Sequence, residues 1–309
     1  MRICVVGAGG VGGYFGARLA ADGNDVIFVA RGAHRAAMAA RGLRVISANG
    51  DLHVEKPQLY DDPVQAGLCD IVLFCVKLWD SEPAAQLVRP LLTHDTAVVS
   101  FQNGVVAADL LSGWLGPQYV LGGVAEIPAA IAEPGVIRHT GKLARLSFGE
   151  RDGSTSWRAE ALHAACQGAG IEARLSTDIE RDIWKKFVFL APLAGAAAFH
   201  RAPLGVLRTE PDKRRLLEGL VAETLAMARA KGQDLDADVA TKVMAGYDAL
   251  PPETKPSMLH DLEAGRRLEL DWLNGEVVRI GRAHGIDTPD SAAVVAALEP
   301  FALGGQTNK

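Results

Sequence analysis

Ile3-Cys4-Val5-Val6-Gly7-Ala8-Gly9-Gly10-Val11-Gly12 is the stretch that decides the fold. Its four apolar residues have the composition of a strand covered on both faces, and the glycines that follow lead straight into an alanine-rich helix expected over 11–21. A glycine pattern of this kind means little as a bare string, but between a strand and a helix each position has a job. Gly7 permits the tight turn, Gly9 lets backbone approach a pyrophosphate, and Gly12 lets the helix pack closely on the strand. Ala8, Gly10 and Val11 complete a loop whose N–H groups and helix dipole suit a phosphate. No Gly-Lys-Ser/Thr follows, so the loop is not of the nucleoside-triphosphate type.

Outward from this loop, short apolar runs alternate with helical patterns, at 2–6, 26–30, 71–76, 97–101 and 119–124. That alternation predicts a parallel α/β sheet, with a mixed strand at 144–148 closing it. After Ser176 the strand signals stop, and helical periodicity runs from 177 to 298, punctuated by Pro203, Pro211, Pro251-Pro252 and Pro289. The expected architecture is α/β: a dinucleotide-binding Rossmann domain over 1–175 and an all-helical domain over 176–309 carrying the substrate groups. The tail at 304–309 is expected to be loose.

Composition excludes several functions. The 309 residues suit two domains, and 49% hydrophobic against 22% charged residues describes a globular chain. A net charge of −5 with no basic run argues against nucleic acid as a partner. The charge-free stretch 187–199 is too short to span a bilayer, and the first residues form a strand and glycine loop, so neither a membrane nor export is expected. Cys4, Cys69, Cys75 and Cys166 form no Cys-x-x-Cys pair, which suits buried thiols in the cytoplasm. No metal is expected, and a homodimer is an assembly that the sequence allows.

The end of the second strand selects the cofactor. A chain that reads NAD places an acid about 20 residues past the glycines to hold the ribose 2′-hydroxyl. This chain has Ala30-Arg31-Gly32 there. A guanidinium pairs with a 2′-phosphate through several donors and gives nothing special to a hydroxyl, so NADPH is the expected cofactor, with Arg35 able to assist. Lys77 and Asn103 follow the next two strands, at the edge where open α/β sheets bind ligands. Lys77 fits a surface lysine equally well, and Asn103-Gly104 fits a plain turn.

In the helical half, Thr177 with Glu180 reads as a capping box that starts a helix. Ile179, Ile183, Phe187 and Leu190 then share one face with Lys186 at its edge, while Lys185 points away. A second helix, expected over 257–284, places Glu269 within the stripe of Met258, Leu262, Leu273 and Ile280. A carboxylate there needs a cation or a polar cleft, and a structural ion pair is the plain alternative. For Lys186 the plain alternative is a stem covering apolar surface.

Taken together, Gly7-Ala8-Gly9-Gly10-Val11-Gly12, Arg31, Cys75-Val76-Lys77, Gln102-Asn103-Gly104, Trp184-Lys185-Lys186 and Pro256-Ser257-Met258-Leu259-His260-Asp261 with Glu269 resemble the ketopantoate reductases, or 2-dehydropantoate 2-reductases. The resemblance covers nearly the whole chain and implies a C-terminal domain of 6-phosphogluconate-dehydrogenase-like type. It implies that Lys186 donates the proton to the substrate oxygen with Glu269 as a second catalytic residue, that Lys77, Asn103 and Glu269 surround the nicotinamide end of NADPH, and that Asn103, Lys186 and Ser257 contact substrate, Ser257 at the carboxylate. The implied reaction gives pantoate for pantothenate synthesis. Many members carry asparagines where this chain has Leu190, Ala194 and Thr254. An NADPH-dependent reductase of another 2-oxo acid, as in the similar mandelate-type dehydrogenases, is therefore the alternative, and a non-catalytic NADPH-binding regulator is a third.

Overall fold

The computed structural model describes residues 1–305, and it divides into two compact units. The first comprises Met1–Gln102 and Val106–Asp182; the second comprises Asn103–Val105 and the chain from Ile183.

In the first unit the strands are β1 (Arg2–Val6), β2 (Asp25–Val29), β3 (Leu43–Ile46), β4 (Leu52–Val54), β5 (Gln58–Tyr60), β6 (Ile71–Phe74), β7 (Ala97–Ser100), β8 (Val120–Glu126), β9 (Ala129–Glu133), β10 (Val136–His139), β11 (Arg145–Gly149) and β12 (Glu172–Leu175). The helices are α1 (Gly10–Ala21), α2 (Gly32–Arg41), α3 (Ser81–Val88), α4 (Ala107–Leu115) and α5 (Trp157–Gly168). One sheet has the order β12-β11-β8-β7-β6-β1-β2-β5. From β8 to β5 every pairing is parallel, and β11 closes the sheet antiparallel to β8.

Strand period decides which side chain meets which layer. Ile3, Val5, Leu73 and Val99 point to one face and pack with Phe15 and Leu19 of α1, whereas Cys4, Val6, Val72 and Phe74 point to the other, with Val88 of α3 and Leu111 of α4. Both faces are therefore dry. Each fully buried aliphatic side chain contributes about 1.5–3 kcal/mol.

A second sheet, β4-β3-β10-β9, was not expected from the sequence. Its strands are short, and β9 is exposed over most of its length, so neither length nor alternation marks them. The sheet lies against α1: a Cβ on Gly10 would come within 2.1 Å of the Ala129 carbonyl oxygen, and one on Gly13 within 2.8 Å of Ile137.

The helical unit holds the rest of α6 (Ile179–His200), then α7 (Leu204–Thr209), α8 (Pro211–Ala230), α9 (Val239–Ala249), α10 (Ser257–Glu263), α11 (Asn274–His284) and α12 (Pro289–Leu298). Its core is built along α6, where Ala191, Ala194, Ala196, Ala197 and Ala198 are all buried. Small side chains let neighbouring helices approach closely. Pro192 interrupts the backbone ladder of α6, and the Tyr247 hydroxyl donates to the Phe189 carbonyl at 2.5 Å in that interrupted turn. The Glu223 carboxylate of α8 accepts from the backbone N–H groups of Asp290 and Ser291, both at 2.8 Å, capping α12 with charge as well as hydrogen bonds.

Three local expectations need correction. The cap of α6 is Asp178, whose Oδ1 accepts from the Arg181 N–H at 3.2 Å, not Thr177; a carboxylate at a helix N-terminus carries the stronger dipole interaction. The helix expected over 257–284 is broken. α10 ends at Glu263, Gly265 adopts φ +63°, and Glu269 stands outside any helix, at the N-cap of a 3-10 turn at Leu270–Trp272. In the tail, Gly304 and Gly305 are tied by hydrogen bonds to Phe301 and Gly265, and 306–309 lie outside the described residues. Among the described residues no helix is long and apolar enough to cross a membrane.

Candidate active site

The glycine loop is shaped by its neighbours. Gly7 sits at φ +96°, a conformation L side chains avoid, and a Cβ there would lie 2.8 Å from the Val76 nitrogen. Gly12 faces the Gly7 carbonyl oxygen, with 2.2 Å for an added Cβ, so α1 lies tightly on β1. Gly9 differs: a Cβ there would meet nothing within 4 Å. The protein itself does not require glycine at this position, which leaves an open cradle at the N-cap of α1. No acid stands in the first turn of that helix to cancel its positive end. These residues fit a dinucleotide pyrophosphate.

β2, β1 and β6 are successive parallel neighbours, and Val6 lies opposite both Val29 and Phe74, so the loops that follow them leave from one edge. Arg31 stands there at the N-cap of α2 with its side chain 75% exposed, and its Nη2 meets Asp80 Oδ2 at 2.7 Å. Arg35 pairs with Asp61 at 2.7 Å. Lys77, half-buried after β6, places Nζ 5.7 Å from the Trp79 ring centroid. Gln102 donates to the Val76 carbonyl at 2.9 Å and to Ser81 Oγ at 2.7 Å, which fixes the chain leaving β7. Sequence reasoning passed over Asp80 and gave Gln102 no role. Asp80 lies only three residues beyond Lys77, and its acidity on a cofactor edge was the available signal.

Cys4, Cys69 and Cys166 are buried and Cys75 half-buried, all as free thiols; burial pushes the Cys75 and Cys166 thiols up to about 12. None of these two is a nucleophile near neutral pH.

In the helical unit the structure brings together three residues singled out by sequence. Lys186 Nζ donates to Asn103 Oδ1 at 2.8 Å, and Asn103 Nδ2 donates to Glu269 Oε2 at 3.4 Å. Asn103 reaches this position because Gly104, at φ +93°, turns the chain immediately after it. Glu269 is 4% exposed, yet the break between α10 and α11 leaves its carboxylate facing an amide donor. The amide has complementary ends: its oxygen orients the ammonium, and its NH₂ group answers the carboxylate. Lys185, also half-buried, is one position away on α6 and about 100° around it. Ser257 is exposed at the first residue of α10, and none of the described hydrogen bonds joins it to this trio.

A Rossmann sheet with an open glycine cradle, together with a lysine held by an amide, defines an oxidoreductase of the nicotinamide-dinucleotide class. The chain matches the family described as Ketopantoate reductase PanE/ApbA over residues 3–153 and that family's C-terminal part over 178–302. It is 32% identical to a 2-dehydropantoate 2-reductase of Mesorhizobium japonicum, covering 98% of each chain. An uncharacterized oxidoreductase of Bacillus subtilis is 31% identical, over 97% of this chain and 99% of that one. The crystal structure of a PanE/ApbA family ketopantoate reductase from Ralstonia eutropha superposes with a TM-score of 0.90 at 32% identity, over 98% of each chain. The chain belongs to the ketopantoate reductase family. That family uses NADPH, and the activity is that of a 2-dehydropantoate 2-reductase or a related 2-hydroxyacid dehydrogenase.

Proposed function

We propose that this chain reduces 2-dehydropantoate to (R)-pantoate with NADPH. The observation that carries this reading is the hydrogen bond from Lys186 to Asn103, because it aims one ammonium in a fixed direction. NADPH, when bound, supplies the hydride to the C2 ketone. Negative charge then builds on the ketone oxygen, and Lys186 stabilises it and delivers the proton there. Asn103 holds the Lys186 ammonium in one direction and contributes to substrate binding. Glu269 fixes the Asn103 amide through its NH₂ group. Ser257, exposed at the start of α10, receives the substrate carboxylate. Gly7, Ala8, Gly9, Gly10, Val11 and Gly12 hold the pyrophosphate, Arg31 the 2′-phosphate, and Lys77 the adjoining ribose or nicotinamide end.

The division of labour follows the chain, with cofactor groups before Leu175 and substrate groups from Ser176 onward, Asn103 excepted. A cytoplasmic setting and a homodimer belong to the same reading.

One observation favours a second substrate. Leu190 and Ala194 follow Lys186 by one and two turns of α6, where many members of the family carry asparagines, and Ala194 is buried. Each missing amide costs a hydroxylated acid about 1–3 kcal/mol, whereas an apolar wall suits a less polar 2-oxo acid. NADPH oxidation followed at 340 nm with a panel of 2-oxo acids decides between them. Turnover greatest on 2-dehydropantoate supports the first reading, and turnover greatest on an aromatic or branched 2-oxo acid replaces it with the second.

A further inference from the structure

Arg31 was assigned to the 2′-phosphate because no acid follows β2 in sequence, but an acid reaches the same place from another strand. Asp80 closes the 3-10 turn after β6, with its N–H bonded to the Lys77 carbonyl at 2.9 Å. Its carboxylate makes no cap hydrogen bond to α3 and instead meets Arg31 Nη2 at 2.7 Å. Asp80 is 28% exposed and Arg31 75% exposed, so both face a ligand arriving at this edge. β1 lies between β2 and β6, which puts the pair beside the glycine loop.

The chemistry of the two cofactors differs at one group. A 2′-phosphate carries about −1.5 to −2 charges and wants the guanidinium free of other anions. A ribose 2′-hydroxyl is a donor that a carboxylate accepts. We infer that Asp80 sets the cofactor preference of this enzyme, competing with the 2′-phosphate for Arg31 and offering an acceptor to a 2′-hydroxyl, so that NADPH is favoured over NADH by a narrower margin than Arg31 alone would give. The inference rests on the proposal that the glycine loop and Arg31 bind a nicotinamide dinucleotide.

The test is binding, measured without turnover. The purified full chain is titrated calorimetrically with 2′,5′-ADP and with 5′-AMP, and separately with NADPH and NADH. Asp80→Asn raises the ratio of 2′-phosphorylated to unphosphorylated affinity about tenfold, mainly by tightening 2′,5′-ADP and NADPH. Asp80→Glu, which restores the charge, returns the ratio toward that of the native protein. In an Arg31→Ala background the gain from Asp80→Asn shrinks, because the guanidinium being released is gone. The thermal midpoint checks that each variant is folded; should Asp80→Asn not fold, Asp80→Glu and Asp80→Ser carry the same comparison. A ratio unchanged or lowered by Asp80→Asn in a folded protein overturns the inference. Failure of the native protein to bind any of the four ligands overturns the underlying cofactor reading instead.

Discussion

Lys186 and Asn103 lie 83 residues apart in sequence, yet the ammonium of one donates to the amide oxygen of the other at 2.8 Å, and the same amide turns its NH₂ group toward Glu269. A lysine held this way points in one direction instead of sweeping through its rotamers. Orientation of this kind makes a proton donor effective when charge appears on a nearby oxygen.

Lys186→Ala is therefore expected to lower kcat about 100-fold or more while leaving NADPH affinity nearly native. Lys185→Ala, one position away on α6, behaves as a neutral substitution, with stability within about 0.5 kcal/mol and turnover close to native. Steady-state rates and a cofactor titration on the two variants decide. A greater loss from Lys185→Ala would overturn both the helical phase and the assignment of the donor.

Asn103→Ala tests whether the amide works through the lysine. It should lower kcat by about tenfold, and in the Lys186→Ala background it should add little, since residues that act as a unit give strongly non-additive losses. Fully additive losses in the double variant would show that Asn103 acts independently of Lys186.

Two adjacent glycines should respond in opposite ways. Gly10→Ala forces a Cβ against the Ala129 carbonyl and is expected to lower the thermal midpoint by several degrees. Gly9→Ala meets nothing in the protein, so it should fold with native stability yet bind NADPH about tenfold more weakly. Thermal unfolding and NADPH titration of both variants separate the two effects, and native affinity in Gly9→Ala would remove the pyrophosphate from this loop.

Burial lowers the His34 imidazole from 6.5, opposed by a hydrogen bond to the Ala8 backbone; burial and Lys213 lower His200 in the same direction. Each group takes up its proton more readily in the unfolded chain than in the fold. Stability is thus unaffected by them well above 6.5, declines as pH falls from 6.5 through their folded values, and levels off below. Asp248, held down by its hydrogen bond to Arg214, works in a separate window, contributing stability above its usual 3.8 that is lost as pH falls through its folded value. Midpoints measured from pH 7.5 to 5 should fall, and His34→Gln should flatten that slope. An unchanged slope in both His34→Gln and His200→Gln would count against this account.

The large sheet was legible because its strands are dry on both faces and therefore written in unbroken apolar runs such as Ile71-Val72-Leu73-Phe74. The small sheet was not, since Ala129-Ala130-Ile131-Ala132-Glu133 carries no alternation and only Ile131 as a strand former, and takes its conformation from its neighbour β10. Glu269 was correctly singled out but misplaced. Met258, Leu262, Leu273 and Ile280 keep a helical spacing across a break that only Gly265 announces. The meeting of Lys186, Asn103 and Glu269 had no local signal, because each contact spans 83 or 166 residues. The acidity of Asp80 after β6 was legible, but its pairing with Arg31 depends on β2 and β6 flanking β1.

Asn103–Val105 falls within the helical unit, although Gln102 before it and Val106 after it belong to the other. The polypeptide therefore passes from one unit to the other three times, at 102/103, 105/106 and 182/183. No single cut separates the halves cleanly: a fragment beginning at Ile183 keeps Lys186 and Glu269 but leaves behind the amide that joins them. Exchange of whole halves between relatives would carry the same defect, pairing a foreign loop with a native lysine. The three-residue excursion ties the two modules together, because a cut at 182/183 parts Lys186 from the amide it donates to.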